Sequence, residues 1–420
     1  MLDLRRASIA LLVLVLYLCL PPSISEAKAA EPALSLSLEQ ALTRAEQRAP
    51  RVLEALRAVR EAEARRTGAG IIMPVNPRAN FDLRPAAGDT SFASLGFAGN
   101  IEFLFEVGGA PAARVREAGR FADVARADQI VHQRDAWAAA WASYVHIQIG
   151  EQRLRDASAD EQIVLRVLGA TRQRSAAGAT GDIDVSMAET EAARSRAATL
   201  AAERQLKEAN MTLRDLLDLA PTEPLSLSTP LAPPPQVDPP GTLVARALER
   251  RPELALIQKQ TALLDTAEER LKRETFPRVG GYLGVDAAPL SPVFGVIGVS
   301  VELPIAQRNQ GPRAQVRAAR QNAMELLAFE KRRIAREVTL SASSYESLRA
   351  ELASLADQAL PAAVRALELA DAGWRAGRLD VFRVLTAARE VARFHELRLG
   401  SLEATWMARI AVARAVGERS

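Results

Sequence analysis

Hydrophobic residues along the chain follow two periods, and the change from one to the other happens twice. Over 37–66, "SLEQALTRAEQRAPRVLEALRAVREAEARR", apolar residues recur every three or four positions, as on one face of an amphipathic helix. The period then drops to two. In "VNPRANFDLRP" (75–85), Val75, Ala79, Phe81 and Leu83 alternate with Asn76, Arg78, Asn80, Asp82 and Arg84. In "SFASLGFAGNIEFLF" (91–105), Leu95, Phe97, Ile101, Phe103 and Phe105 share one face, while Ser94, Asn100 and Glu102 share the other. Such alternation predicts two strands, each with an apolar and a polar face. From Arg114 to Ala177 only Gly119, Gly150 and Gly169 interrupt a helical pattern, which predicts a helix of roughly 90 Å. Small residues recur along it at heptad-like spacing (Val115, Ala118, Ala122, Ala125, Ala136, Ala139, Ser143), as in a closely packed coiled-coil seam.

The same plan then runs a second time. "TLVARALERRPELALIQKQTALLDTAEERLKR" (242–273) answers the first helix, with Pro252 in the place of Pro50. "PRVGGYLGVDAAP" (277–289) and "PVFGVIGVSVELPI" (292–305) answer the strands, the latter with Val293, Ile297, Val299, Val301 and Leu303 on one face. "AQVRAARQ" (314–321) answers "ARVREAGR" (113–120). Further on, "RSAAGATGDIDVSMAETEAAR" (174–194) aligns with "GWRAGRLDVFRVLTAAREVAR" (373–393), placing Gly178 on Gly377 and Val185 on Val384. One position in that alignment reverses charge: Asp184 falls on Arg383.

An internal repeat of this length fixes the organisation. The first unit is 30–219, with a helix over 35–67, strands over 73–85 and 91–106, a long helix over 111–177 and a returning helix over 182–219. "APTEPLSLSTPLAPPPQVDPPG" (220–241) is a Pro-rich linker that cannot be helical. The second unit is 242–420, with a helix over 242–275, strands over 277–288 and 292–305, a long helix over 312–373 and a helix over 379–417. Strands of this length and alternation suit a membrane β-barrel, although a half-buried hairpin has the same pattern. Four strands cannot close a barrel, and an open sheet in lipid leaves unpaired edges. Strands that cross a membrane here therefore require several chains.

Composition narrows the class. The 420 residues are 48% hydrophobic but only 5% aromatic, a mix that suits long helices packed through small side chains. A net charge of +3 gives no reason to expect nucleic acid, and mixed Arg and Glu read as solvated helix faces. Residues 1–29 read as a signal peptide: Arg5 and Arg6 precede the apolar run "IALLVLVLYLCL" (9–20), and cleavage after Ala27 or Ala29 satisfies the small-residue rule. The single cysteine, Cys19, lies inside that run behind Leu18, where a lipoprotein signal wants a small residue. No later stretch offers eighteen consecutive apolar residues for a transmembrane helix.

Catalytic patterns are missing: no HExxH, GxSxG, Walker or GxGxxG motif occurs, so no enzyme and no cofactor is expected. His132 and His146 are two heptads apart and share a helix face near Trp137 and Trp141, which leaves seam packing and a metal relay both open. Neither a cysteine nor a Met-rich tract offers soft ligands, and no metal site is expected.

Over essentially the whole chain after the leader, these residues resemble the TolC family of outer-membrane efflux channels. "NPRANFDLR" (76–84), "FEVGGAPAARV" (105–115) and "VELPIAQRNQGPRAQVRAA" (301–319) are most similar to the heavy-metal efflux (CzcC-like) components. The resemblance implies a mainly α fold with membrane β, in which a helix–β-hairpin–long helix–helix repeat builds a homotrimer. Its twelve-stranded outer-membrane barrel would face lipid through Phe81, Leu95, Phe97, Ile101, Phe103, Val293, Ile297, Val299 and Val301. A periplasmic α-helical barrel of coiled-coil type would continue it, docking a periplasmic adaptor and an inner-membrane RND transporter, with a metal cation as cargo.

The turns at Gly178 and Gly377 would then be the periplasmic tips, with Ala177, Gly178, Ala179, Ala376, Gly377 and Arg378 meeting the adaptor. An acidic residue six positions after each tip glycine would line the aperture. Asp184 fits; Arg383 replaces the second acid, and Thr386 takes another position that is often acidic in relatives. Asp184 and Arg383 from neighbouring hairpins could pair across the aperture, or both could be solvated charges at helix starts. Two other readings remain: an outer-membrane duct for drugs, solvents or a secreted polypeptide, and a periplasmic coiled-coil scaffold outside any membrane. The scaffold leaves four long alternating strands without a purpose.

Overall fold

Ser37 opens the first helix. Its hydroxyl accepts from the Gln40 amide at 3.2 Å while the Gln40 side chain accepts from the Ser37 amide at 2.9 Å, a reciprocal capping box. The structure, a computed structural model, describes residues 34–85, 95–223, 225–288 and 291–418. The expected leader with Cys19, and residues 91–94 of the expected second strand, lie outside them.

In chain order the first repeat comprises β1 (Leu34–Leu36), α1 (Leu38–Arg48), α2 (Pro50–Ala64), β2 (Arg78–Pro85), β3 (Leu95–Glu106), α3 (Ala110–Ala176) and α4 (Asp182–Leu216). β4 (Leu225–Leu227) follows. The second repeat comprises α5 (Pro240–Arg250), α6 (Pro252–Arg273), β5 (Arg278–Ala287), β6 (Phe294–Glu302), α7 (Gln310–Ser354), α8 (Leu360–Arg375) and α9 (Val381–Val416).

Three expectations need correction. The helices expected over 35–67 and 242–275 are each broken in two, because Ala49 (ψ 140°) and Arg251 (ψ 118°) precede prolines that force them out of helical conformation. The long helix expected over 312–373 is interrupted by a π-helical turn at Leu355–Ala359, just before Pro361, whose ring nitrogen has no hydrogen to donate. Within the linker, β4 pairs in parallel with β1, matching the tripeptide Leu34–Leu36 to Leu225–Leu227 residue for residue. β2, β5 and β6 are also shorter than expected, and β6 stops at Glu302 rather than 305, two residues before Pro304.

The four remaining strands form one antiparallel sheet in the order β2-β3-β5-β6. The two repeats thus merge through the β3–β5 ladder. α3 has 67 residues, roughly 100 Å of helix, and packs against α1, α2, α4, α6 and α9. Three apolar clusters hold the helices. The first gathers Leu42, Trp137, Tyr144, Leu213, Leu399 and Ile410; the second lies near the α3–α4 and α8–α9 turns (Val164, Leu168, Ala188, Trp374, Val384, Leu385). The third joins α5, α6, α7 and α9 through Leu243, Leu254, Ile334, Val338, Tyr345 and Val412. Near its middle, α3 is tied to α6 by Arg134, 2% exposed in its side chain, which meets Glu253 at 2.6 Å and Asp135 at 2.7 Å.

Candidate functional site

The sheet register gathers the alternating residues of all four strands onto two faces. Leu83 lies opposite Phe97, Ile101 opposite Leu283, and Leu283 opposite Ile297. One face therefore carries Phe81, Phe97, Ile101, Phe103, Ile297, Val299 and Val301, and Val293 precedes it, exposed, at the start of β6. Ile297 is 88% and Phe81 85% exposed, which is abnormal for apolar side chains facing water in this number. Leu95 opens β3, and its side chain lies outside the described residues.

The opposite face is largely polar and glycine-rich, and it also carries Leu104, Phe294 and Val296. Asn80 donates to Asn100 at 2.8 Å, Arg84 meets Asp286 at 3.3 Å, and Arg278 sits 3.5 Å from both Glu106 and Glu302. Gly298 gives the Tyr282 ring its place: a methyl group there would overlap the phenol. Each of the outer strands, β2 and β6, has a neighbour on one side only.

At the far end of the helices both turns close in the same way. Gly178 (φ 70°) and Gly377 (φ 71°) take the left-handed conformation that a side chain resists. The Ala179 amide reaches the Arg174 carbonyl at 2.8 Å, and the Arg378 amide reaches that of Gly373 at 2.9 Å, the hydrogen-bond pattern of a glycine-terminated helix. Ala177, Gly178, Ala179, Ala376, Gly377 and Arg378 are all exposed. The two turns then diverge. Asp380 caps α9 by accepting from the Arg383 amide at 3.0 Å, whereas Gly181 gives α4 no side-chain cap.

The structure does not bring Asp184 and Arg383 together within the chain. Asp184 accepts from the Thr180 hydroxyl, and Thr386 donates to the Phe382 carbonyl at 2.8 Å along its own helix. The Arg383 side chain makes no ion pair among the described residues. Instead, Arg174 joins the two hairpins: its guanidinium stacks 4.4 Å from the Trp374 ring centre and donates to the Trp374 carbonyl at 3.1 Å.

Sequence reasoning missed a polar seam between α3 and α9. His146, Arg153 and Asp160 recur at heptad spacing on α3, between the first and second apolar clusters. His146 contacts Glu403 at 2.8 Å, Arg153 reaches Glu396 and Glu403 at 3.0 and 3.1 Å, and His395 meets Asp160 at 3.1 Å. The hydrogen bond to Asp160 raises the His395 pKa above its ordinary value against the opposing effect of burial. The hydrogen bond from His146, with help from Arg153, lowers that of Glu403. The available signal was the seven-residue spacing of polar residues in an otherwise small-residue seam. The two helical histidines do not act as a pair, since His132 contacts Asp128 on its own helix at 3.5 Å.

No family model matches the sequence. A curated relative does: the chain is 26% identical over 353 residues to the cobalt-zinc-cadmium resistance protein CzcC of Cupriavidus metallidurans, covering 83% of each. The solved channel CusC superposes with a TM-score of 0.74 over 92% of this chain and 93% of its own, at 15% identity. The outer-membrane protein VceC of Vibrio cholerae gives 0.71 over 90% and 96%, at 18% identity, and both share the whole fold. These relatives are TolC-family outer-membrane channels, and the chain shares their fold. Among the described residues, no helix is long and apolar enough to cross a membrane, and no group of three or more His, Cys, Asp or Glu is placed to hold a metal.

Proposed function

We propose that the protein is the passive outer-membrane duct of a tripartite efflux system, with heavy-metal cations as its cargo. One observation carries the reading: a four-stranded sheet, apolar on its exposed face and open at both edges, stands on helices roughly 100 Å long. In lipid, unpaired backbone groups at those edges cost several kcal/mol each. Three copies would pair the edges and enclose a polar lumen within twelve strands, with Phe81, Phe97, Ile101, Phe103, Ile297, Val299 and Val301 facing acyl chains. Leu95 and Val293 join this lipid-facing set. The helices would continue the duct across the periplasm to tips that meet the adaptor, through which the duct couples to an RND pump.

The CzcC relative, named for cobalt, zinc and cadmium resistance, supports metal cargo. Selection is assigned to pump and adaptor. Asp184, Arg383 and Thr386 are assigned to the aperture, with Asp184 meeting Arg383 of a neighbouring copy.

The test is deletion of the gene in its host, followed by tolerance and accumulation assays for cobalt, zinc and cadmium and fractionation of the native protein. Raised metal accumulation on deletion, with protein in the outer membrane, is the expected result. Unchanged metal tolerance with increased drug accumulation would move the cargo to organic compounds. Protein extracted without detergent as a monomer would overturn the duct.

A further inference from the structure

Exposed apolar side chains continue past the hydrogen-bonded end of the sheet. All four strands meet the helices at one end, where β2 and β5 begin and β3 and β6 finish. Close to that end stand Met73 and Val75 before β2, Val107 after β3, Phe276 before β5, and Leu303 and Ile305 after β6, all exposed. Ile71 and Ile72, 56% and 58% exposed, extend the group on the β2 side. This collar spans the full width of the sheet. β3 and β5 are its inner strands, so covering the outer strands, β2 and β6, does not account for Val107, 64% exposed, or for half-exposed Phe276.

The loop ahead of β2 is held in place from beneath. Gly68 (φ 83°) turns the chain after α2. The Arg114 guanidinium, on α3, donates to the Ala69 and Ile71 carbonyls at 3.2 and 2.8 Å and pairs with Glu106, whose side chain is almost fully buried. The Glu106 amide donates to the Ile72 carbonyl at 3.1 Å. Gly108 leaves room for the Phe276 ring, which a methyl group there would overlap. Irregular backbone is tolerated beside hydrocarbon only where its polar groups are satisfied within the protein. The carbonyls of Ala69, Ile71 and Ile72 meet that condition.

We propose that this collar sits in the periplasmic leaflet of the outer membrane, its apolar side chains among the acyl chains just beneath the headgroups. The inference rests on the shared-barrel reading above and adds to it a lipid contact outside the strands. Height supports it. β6 has nine residues, which rise about 23 Å at a tilt of about 40°, just under the ~25 Å apolar band of outer-membrane barrels. Leu303 and Ile305 complete the band at the helix end. Charge supports it as well: Arg65, Arg66 and Arg308, close to the collar in sequence, are exposed and make no ion pair among the described residues, as suits anionic headgroups.

The experiment uses Val107→Cys, Met73→Cys and Ile297→Cys, one at a time, in the full-length chain, whose single native cysteine lies in the expected leader. Each is spin-labelled in vesicles of phosphatidylethanolamine and phosphatidylglycerol. Its collisions with oxygen, which concentrates in lipid, are compared with those of a water-soluble nickel chelate. A severalfold preference for oxygen at Val107 and Met73, smaller than that at Ile297, is the expected result. Nickel access at Val107 and Met73, with Ile297 still in lipid, would overturn the collar and leave the barrel standing. Exclusion of both reagents from Val107 would show that protein covers it and would overturn the collar as well. Nickel access at all three positions would remove the barrel reading and the collar with it.

Discussion

Tyr144 and Tyr345 hold the same place in the two repeats, and both hydroxyls grip the segment that joins them. Tyr144, 1% exposed, accepts from the Thr229 amide at 3.0 Å and donates to the Leu36 carbonyl at 3.1 Å, fixing the β1–β4 pair onto α3. Tyr345, fully buried, donates to the Pro235 carbonyl. A proline-rich segment with few amide donors of its own is thereby anchored to both long helices. Tyr144→Phe leaves the Thr229 amide without its acceptor, while the Leu36 carbonyl keeps the Ser228 amide, and should destabilise the protein by about 1–3 kcal/mol. Thermal unfolding in detergent would show it; an unchanged midpoint would mean that water replaces the hydroxyl.

The polar seam predicts a pH dependence. His395 has a raised pKa, chiefly through its hydrogen bond to Asp160. A raised folded-state value contributes stability that is complete below the ordinary imidazole value of about 6.5 and is lost as pH rises through the raised value. The melting temperature should therefore fall as pH climbs through and above the ordinary histidine range, and His395→Gln should flatten that part of the curve. Glu403 acts at the other end: its value is lowered, first by His146, so its contribution disappears as pH drops through that lowered value. Identical profiles for wild type and His395→Gln would show that the contact carries no proton-linked stability.

Charge on the exposed sheet face distinguishes lipid from water as its surroundings. Ile297→Lys, at an apolar site 88% exposed, should cost about 2–4 kcal/mol if the site lies near the bilayer midplane. Asn80→Lys, on the opposite face, should be tolerated. The readout is the amount of folded protein in the outer membrane. Equal recovery of both variants would place the sheet outside the hydrocarbon.

The aperture assignment is tested by Arg383→Asp, which puts like charges where a pair between copies is proposed. Exposed pairs contribute about 0–1 kcal/mol each, so the expected effect is a graded rise in basal permeability, read as uptake of a large antibiotic or as single-channel conductance. Permeability equal to wild type would leave Asp184 and Arg383 as solvated charges at helix starts.

The repeat, the two periods and the glycine turns were legible in the residues, because each is local. Alternation by two sorts Phe81 from Asp82 wherever the strand is placed, and a left-handed turn selects glycine at 178 and 377 irrespective of what it touches. Pro50 and Pro252 were equally visible, but the breaks they cause were read as continuous helix, because a proline is also at home in a helix's first turn. Only the tertiary structure decided which charges meet. His146 finds Glu403, and His395 finds Asp160, on helices more than two hundred residues apart in sequence. Asp184 and Arg383, aligned by the repeat, lie apart within one chain, since each is held at the start of its own helix. The β1–β4 pair was hidden for a related reason: three residues are too few to display a period, and their pairing depends on Tyr144 and the packed helices beneath it. Periodicity fixes which face of an element is apolar; which element covers that face depends on contacts distant in sequence, and those form only when the whole chain packs.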